Sequence, residues 1–224
     1  FDALLDRRAA HEPISHLLGR REFWSLSFKV TANTLDPRPD SETIIEAALD
    51  HVREAEAPLR ILDLGTGTGC LLAALLSEFR QALGIGVERD GATAEVAQRN
   101  LRRLGLAARG RVVVGDWTAS LRSEFDLIVS NPPYIPAADI PALQPEVAYF
   151  EPALALDGGA DGLDAYRALF PAIAGLLAPG GVAIAEFGAG QRDSVIRLAE
   201  MAGLMVLEVR DDLAGRPRCL VCRP

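Results

Sequence analysis

Lysine is nearly missing from this chain: Lys29 stands alone, and every other basic residue is arginine. The arginines are spread along the whole length, so the skew reads as base composition of the gene rather than a binding tract. Cysteine is scarce as well. Three in 224 residues, an odd number, exclude a disulfide framework. Cys219 and Cys222 form a Cys-x-x-Cys pair, yet Arg218 to Arg223 has the pattern of a strand, where residues three apart face opposite ways. With no second Cys/His pair nearby, both are expected to be structural, and no metal is expected. Histidine occurs only as His11, His16 and His51, all expected on the surface or in structural roles. No apolar run approaches the roughly 20 residues of a membrane span. The longest, around Leu71 to Leu76, breaks at Ser77 and Glu78. Positive charge is also in deficit, with 23 basic against 31 acidic residues and a net charge of −8. That balance argues against a general grip on nucleic acid. The sequence opens on Phe1 without a signal-peptide pattern, which sets the expectation of a piece of a longer cytoplasmic protein with no membrane partner.

What is present is ordinary globular composition, 49% hydrophobic and 24% charged, at a length that buries a full core. Leu4, Leu5 and Ala9 suggest a helix over 1–10, ended by Pro13. Phe23, Trp24, Leu26, Phe28 and Val30 alternate as a short β-hairpin. Pro37-Arg38-Pro39 is a stiff extended segment, and Asp40 is placed to cap a helix over 41–55, where Ile44, Ile45, Ala48, Leu49 and Val52 repeat at helical period. From there β and α alternate. Strands are expected over 60–64, 83–88, 111–114, 125–129, 182–187, 204–209 and 218–221. Helices are expected from the glycines to Leu76 and over 93–104, 165–177 and 192–202, the third ending at Pro179-Gly180-Gly181. Apolar strands between amphipathic helices predict an α/β, doubly wound, mostly parallel Rossmann-like sheet covered on both faces, with a short helix and hairpin appendage in front.

Asp63-Leu64-Gly65-Thr66-Gly67-Thr68-Gly69 falls where the first sheet strand gives way to a helix. Glycines there let a ligand press against bare backbone. Glu88 ends the next strand about twenty residues on, at the spacing of an acid that takes ribose hydroxyls. That spacing fits dinucleotide cofactors too. Two details favour a cationic sulfonium cofactor: the third glycine is displaced from the G-x-G-x-x-G position, and Asp63 sets a carboxylate near the loop. Asp116 and Trp117 end the third strand, where an acid can accept from an adenine amino group and an indole can lie on a purine.

Asn131-Pro132-Pro133-Tyr134 follows the apolar strand Leu127-Ile128-Val129, at the sheet edge where open α/β sheets bind ligands. The paired prolines supply no N–H and leave the Pro132 carbonyl free. That carbonyl and the Asn131 amide oxygen make two acceptors in a stiff corner, suited to an NH2 group, while Tyr134 offers a flat face to a planar substrate.

Asp63 to Gly69 together with Asn131 to Tyr134 resembles the amino methyltransferases that use S-adenosylmethionine. Further stretches resemble one branch in particular: Arg21-Glu22-Phe23-Trp24, Pro37 to Glu42, Phe150 to Gly159, Asp161 to Asp164 and Asp211 to Arg216. The likeness covers essentially the whole chain and points to the peptide chain release factor glutamine methyltransferases of the HemK/PrmC type. Asp36 departs from the usual aliphatic residue, and Glu88 from the commoner Asp. The resemblance implies methyl transfer from S-adenosylmethionine, leaving S-adenosylhomocysteine, to the glutamine of the Gly-Gly-Gln loop in class I release factors. It implies Gly65, Thr66, Gly67, Thr68, Gly69, Glu88, Asp116, Trp117 and Asn131 as cofactor contacts. Asn131, Pro132, Pro133 and Tyr134 would hold the glutamine amide, with Asn131, Pro132 and Tyr134 catalytic. It also implies that residues 1–35 are the end of an N-terminal recognition domain with its hairpin linker, and 36–224 the methyltransferase domain. A ribosomal-protein glutamine and the adenine N6 of nucleic acid remain as alternative acceptors, although direct nucleic-acid binding is not expected at this net charge.

Overall fold

The computed structural model describes residues 2–52, 58–117 and 121–224. Two short helices, α1 (Asp2–Ala9) and α2 (Ile14–Leu18), precede the hairpin β1 (Arg20–Phe23) and β2 (Leu26–Lys29). The first helix stops at Ala9, with His11 at φ 69° in the turn that follows, and Pro13 instead stands at the N-cap of a second helix that the sequence reading missed. The hairpin turn is Trp24-Ser25, with φ of 50° and 58°, the left-handed geometry that two-residue hairpin loops need and that side chains resist. The Trp24 N–H donates to Glu42 at 2.8 Å and its indole N–H to Glu78 at 2.6 Å, so the strained corner is bolted to the domain behind it.

A 3-10 turn over Pro39–Ser41 leads into α3 (Glu42–His51); residues 53–55 of the expected helix lie outside the described residues. The repeating part follows as β3 (Arg60–Leu64), α4 (Cys70–Glu78), β4 (Leu83–Glu88), α5 (Gly91–Arg103), β5 (Gly110–Val114) and β6 (Phe125–Ser130). Next come α6 (Pro145–Phe150), α7 (Ala153–Leu156), α8 (Asp164–Leu176), β7 (Leu177–Glu186), α9 (Arg192–Met201), β8 (Met205–Asp211) and β9 (Pro217–Arg223). Pro179-Gly180-Gly181 does not cap α8. The helix closes on Leu177 in extended conformation and the glycines lie within β7, beside a register shift against β6.

The seven strands lie in the order β5-β4-β3-β6-β7-β9-β8. β9 is inserted between β7 and β8 and pairs antiparallel with both, so it alone runs against the sheet. Strand alternation sends Ile61, Leu127 and Val129 to one face and Leu62, Ile128 and Ala183 to the other. Cys219 and Cys222 follow the same rule, each buried in a different layer and each a free thiol. The first layer also takes in Phe23 and Phe28, packed edge to face at 6.4 Å, so hairpin and sheet share one core. Among the described residues no helix is long and apolar enough to cross a membrane.

Phe28 is wholly buried in that shared layer. Phe28→Ala should cost about 3–5 kcal/mol of stability, the usual loss for truncating a buried aromatic. Urea unfolding followed by tryptophan fluorescence measures it. A loss under about 1 kcal/mol would mean that the hairpin is an independent appendage.

Candidate active site

A cavity of about 410 Å³ opens at the carboxyl ends of β3, β4 and β6, within the size range of small-molecule sites. The glycine turn after β3 forms its floor. Gly65 and Thr66 donate their N–H groups to the Val87 carbonyl at 2.9 and 3.0 Å, tying the turn to β4. Gly65 has φ +73°, a left-handed backbone that favours glycine, and the Trp117 ring lies beside it.

Asp63 does not present its charge to the cavity, as the sequence reading expected. Its carboxylate is buried beneath the turn, where it accepts the Thr66 hydroxyl at 2.6 Å and the Leu72 N–H at 3.3 Å. Burial pushes its pKa up to about 7 against these two hydrogen bonds, with Glu88 nearby adding to the rise. Asp63 Oδ1 and Thr68 Oγ1 are buried without a partner among the described residues. Thr68 lines the cavity, so its unpaired hydroxyl can meet a polar group of a ligand, whereas Asp63 is not among the lining residues.

Glu88 accepts the Gly67 N–H at 3.0 Å on one oxygen and the Asp90 N–H at 3.1 Å on the other. Each oxygen keeps a second acceptor site, enough for a vicinal diol. Asp116 and Trp117 line the same cavity, as do Thr66, Gly67 and Thr68. The lining carries six carboxylates (Asp36, Glu88, Asp90, Asp116, Asp157 and Asp164) against the two guanidiniums of Arg38 and Arg89. That surplus suits a cation and repels a diphosphate.

Of the proline corner, Asn131 and Pro133 reach the cavity wall, while Pro132 is buried and Tyr134 lies outside the lining. The Tyr134 ring packs on Gly188, where an added Cβ would come within 2.8 Å of it, and its hydroxyl donates to Glu186 at 3.3 Å. The open flat face expected of Tyr134 is thus turned toward α9 and β7. Gln191 clamps this arrangement by donating to the Tyr134 carbonyl at 2.8 Å. The Asn131 amide nitrogen donates to the Ser41 hydroxyl at 3.0 Å, and Ser41 in turn donates to Glu186 at 2.6 Å.

The roof comes from segments whose roles sequence reasoning did not assign. Asn33 and Leu35 to Arg38 line the cavity, as do Pro152, Leu154, Ala155 and Asp157. Arg38 joins them with a forked ion pair to Glu151, 2.7 Å to each oxygen. Burial still outweighs the guanidinium and holds the Glu151 pKa at about 7, with Asp36 adding to the rise. Asp36 accepts the Ser15 hydroxyl and faces the buried His16 ring at 3.6 Å, which gives its unusual carboxylate polar company from α2.

This strand order, with its glycine turn and acidic cavity, defines a methyltransferase of the Rossmann-like class. The methyltransferase small domain family matches residues 43–143. A methyltransferase structure from Pyrococcus furiosus shares the fold at TM-score 0.66 and 18% identity, over 97% of both chains. The chain is 52% identical to the release factor glutamine methyltransferase of Rhodospirillum rubrum, over 100% of its own length and 68% of the relative's. With the enzyme of that name from Bradyrhizobium diazoefficiens it shares 50% identity, over 97% and 74%. The chain belongs to the release factor glutamine methyltransferases.

Asp63 titrates near 4 in the unfolded chain and near 7 in the folded one, so the native state holds the extra proton between those values. Its contribution to stability is complete below pH 4 and is lost as pH rises through 7. Asp63→Asn should therefore flatten part of the fall in stability between pH 4 and 7, by up to about 1.4 kcal/mol per pH unit. Urea titrations at successive pH values test this; wild-type and variant curves that run parallel would remove Asp63 from the linkage.

Proposed function

We propose that the chain transfers a methyl group from S-adenosylmethionine to the side-chain amide nitrogen of the glutamine in the Gly-Gly-Gln loop of class I peptide chain release factors. The observation that carries this reading is the amide of Asn131, held by Ser41 on its nitrogen side and standing in the same cavity as the glycine turn. Gly65 to Gly69 would receive the amino-acid tail of the cofactor, Glu88 its ribose, and Asp116 with Trp117 its adenine. The bound cofactor supplies an electrophilic methyl on a sulfonium.

The residues of the chain have a different task. An amide nitrogen is a poor nucleophile because its lone pair is spread into the carbonyl. The Asn131 amide oxygen and the Pro132 carbonyl accept from the substrate NH2, fix its direction and bias electron density onto nitrogen. The same two acceptors offset the positive charge that grows on nitrogen as the bond forms. No strong base is needed beforehand, since an N-alkylated amide cation is acidic and sheds its proton readily. Pro133 walls the corner, and Tyr134 braces it through Glu186. Residues 36–224 hold the chemistry in this scheme, while residues 1–35 contribute to docking the release factor.

Mass spectrometry of a Gly-Gly-Gln release factor after incubation with the protein and cofactor should show one added methyl on that glutamine. Methylation of a ribosomal protein or an adenine oligonucleotide instead would replace this reading. Asn131→Ala should lower the single-turnover rate by a hundredfold to a thousandfold, about 2.7–4 kcal/mol, with cofactor affinity kept. A variant that melts early yet methylates at the normal rate would reduce Asn131 to a turn residue.

A further inference from the structure

One buried acid beside the site enters the scheme above only as the partner of the Tyr134 hydroxyl. Glu186 ends β7 with its side chain out of solvent, and one carboxylate oxygen takes the Ser41 hydroxyl at 2.6 Å. The same Ser41 oxygen receives the Asn131 amide nitrogen at 3.0 Å. A hydroxyl has one proton and two lone pairs, and an ionised carboxylate can only accept. While Glu186 is charged, the Ser41 proton must point to it, and Ser41 can offer Asn131 only a lone pair. Asn131 then has to give Ser41 its NH2 end and leave its oxygen on the other side. A proton on that Glu186 oxygen frees the Ser41 proton, which can then be aimed at Asn131 in place of a lone pair. Glu186 would donate to Ser41, Ser41 to the Asn131 oxygen, and the amide would turn over, bringing its NH2 toward the cavity. A substrate NH2 would then meet a donor where it needs an acceptor.

We propose that Glu186 and Ser41 are positioning residues that dictate which end of the Asn131 amide faces the cavity, so that a proton taken up from solvent by Glu186 turns the site off. The inference rests on the substrate-holding role given to Asn131 above. The surroundings of Glu186 make the switch workable at ordinary pH. Burial raises its pKa to about 7, against the Ser41 hydrogen bond, the charge of Arg218 and the Tyr134 hydroxyl, with Asp40 reinforcing the rise. Arg218 of β9 is itself shared, 3.0 Å from Asp212 and 3.2 Å from Asp40, so its charge is largely spoken for. From α8, the Tyr166 hydroxyl donates to the Glu186 backbone carbonyl at 2.9 Å and leaves the carboxylate alone. Tyr134 and Tyr166 both have pKa values raised by burial, so neither changes charge in this range.

Two measurements test the switch. In cofactor-free protein labelled with nitrogen-15, the Asn131 side-chain NH2 resonances should titrate with a midpoint near pH 7, and should stop doing so in Ser41→Ala and in Glu186→Gln. Single-turnover methylation at saturating cofactor should fall about tenfold per pH unit below that midpoint in the wild type. Both variants should lose this limb and run at least tenfold slower at pH 8, through kcat rather than KM, while Ser41→Thr, which keeps the hydroxyl, should restore it. Ser41→Ala leaves the acid in place, so the test survives if Glu186→Gln fails to fold. Wild-type Asn131 resonances that stay flat from pH 5.5 to 8.5, or a limb that persists unchanged in Ser41→Ala, would overturn the proposal. If Asn131→Ala methylates normally, the substrate-holding role falls and this inference with it. If Asn131→Ala is slow but the Ser41→Ala profile matches wild type, the switch alone is wrong.

Discussion

The structure turns on the reversal of strand order beside β3. β4 and β5 build outward on one side and β6, β7, β9 and β8 on the other, so the connections leaving β3 and β6 diverge and open a crevice between them. Everything that can touch a ligand hangs from that divergence. The glycine turn leaves β3, Glu88 ends β4, Asp116 and Trp117 follow β5, and the proline corner leaves β6. Because both faces of these strands are packed by separate apolar layers, their ends are fixed relative to one another without any bond between the motifs themselves.

Around the crevice the chain keeps three acids in places that disfavour their charge. Asp63, Glu151 and Glu186 are each pushed to about 7 mainly by burial. Each is bound to something that matters for the site: the turn through Thr66, the roof through Arg38, the proline corner through Ser41 and Tyr134. Perturbed acids of this kind cluster at functional sites. In this fold the acids hold other groups in place instead of facing the ligand.

Local chemistry made much of this legible in the amino-acid order. The glycine turn, Glu88 and Asn131 to Tyr134 each sit directly after an apolar strand, so the motif and its place in the sheet are read together. The helices α6 and α7 escaped because six and four residues are too few to show a period. Pro179-Gly180-Gly181 misled because glycine after a helix is the usual stop signal, whereas here a wide strand absorbs it. Ser41 and Glu186 are 145 residues apart, and no local pattern joins them. The one available hint was an acid closing the apolar run Val182 to Ala185, and its meaning depends on a partner from another part of the chain. Tyr134 shows the reverse limit: the motif announced an aromatic face, but the direction of the ring is decided by Gly188 and Gln191, far downstream.

The placement of Cys219 and Cys222 has its own consequence. One strand carries a thiol into each of the two apolar layers, and burial holds both near a pKa of about 12. Neither can reach the other through the sheet, and neither is a thiolate while the layers stay closed. A small alkylating reagent can therefore modify each only when its own side of the sandwich opens. The pair amounts to two clocks wired into opposite faces of β9, timing how often each half of the molecule breathes, and whether the halves open together.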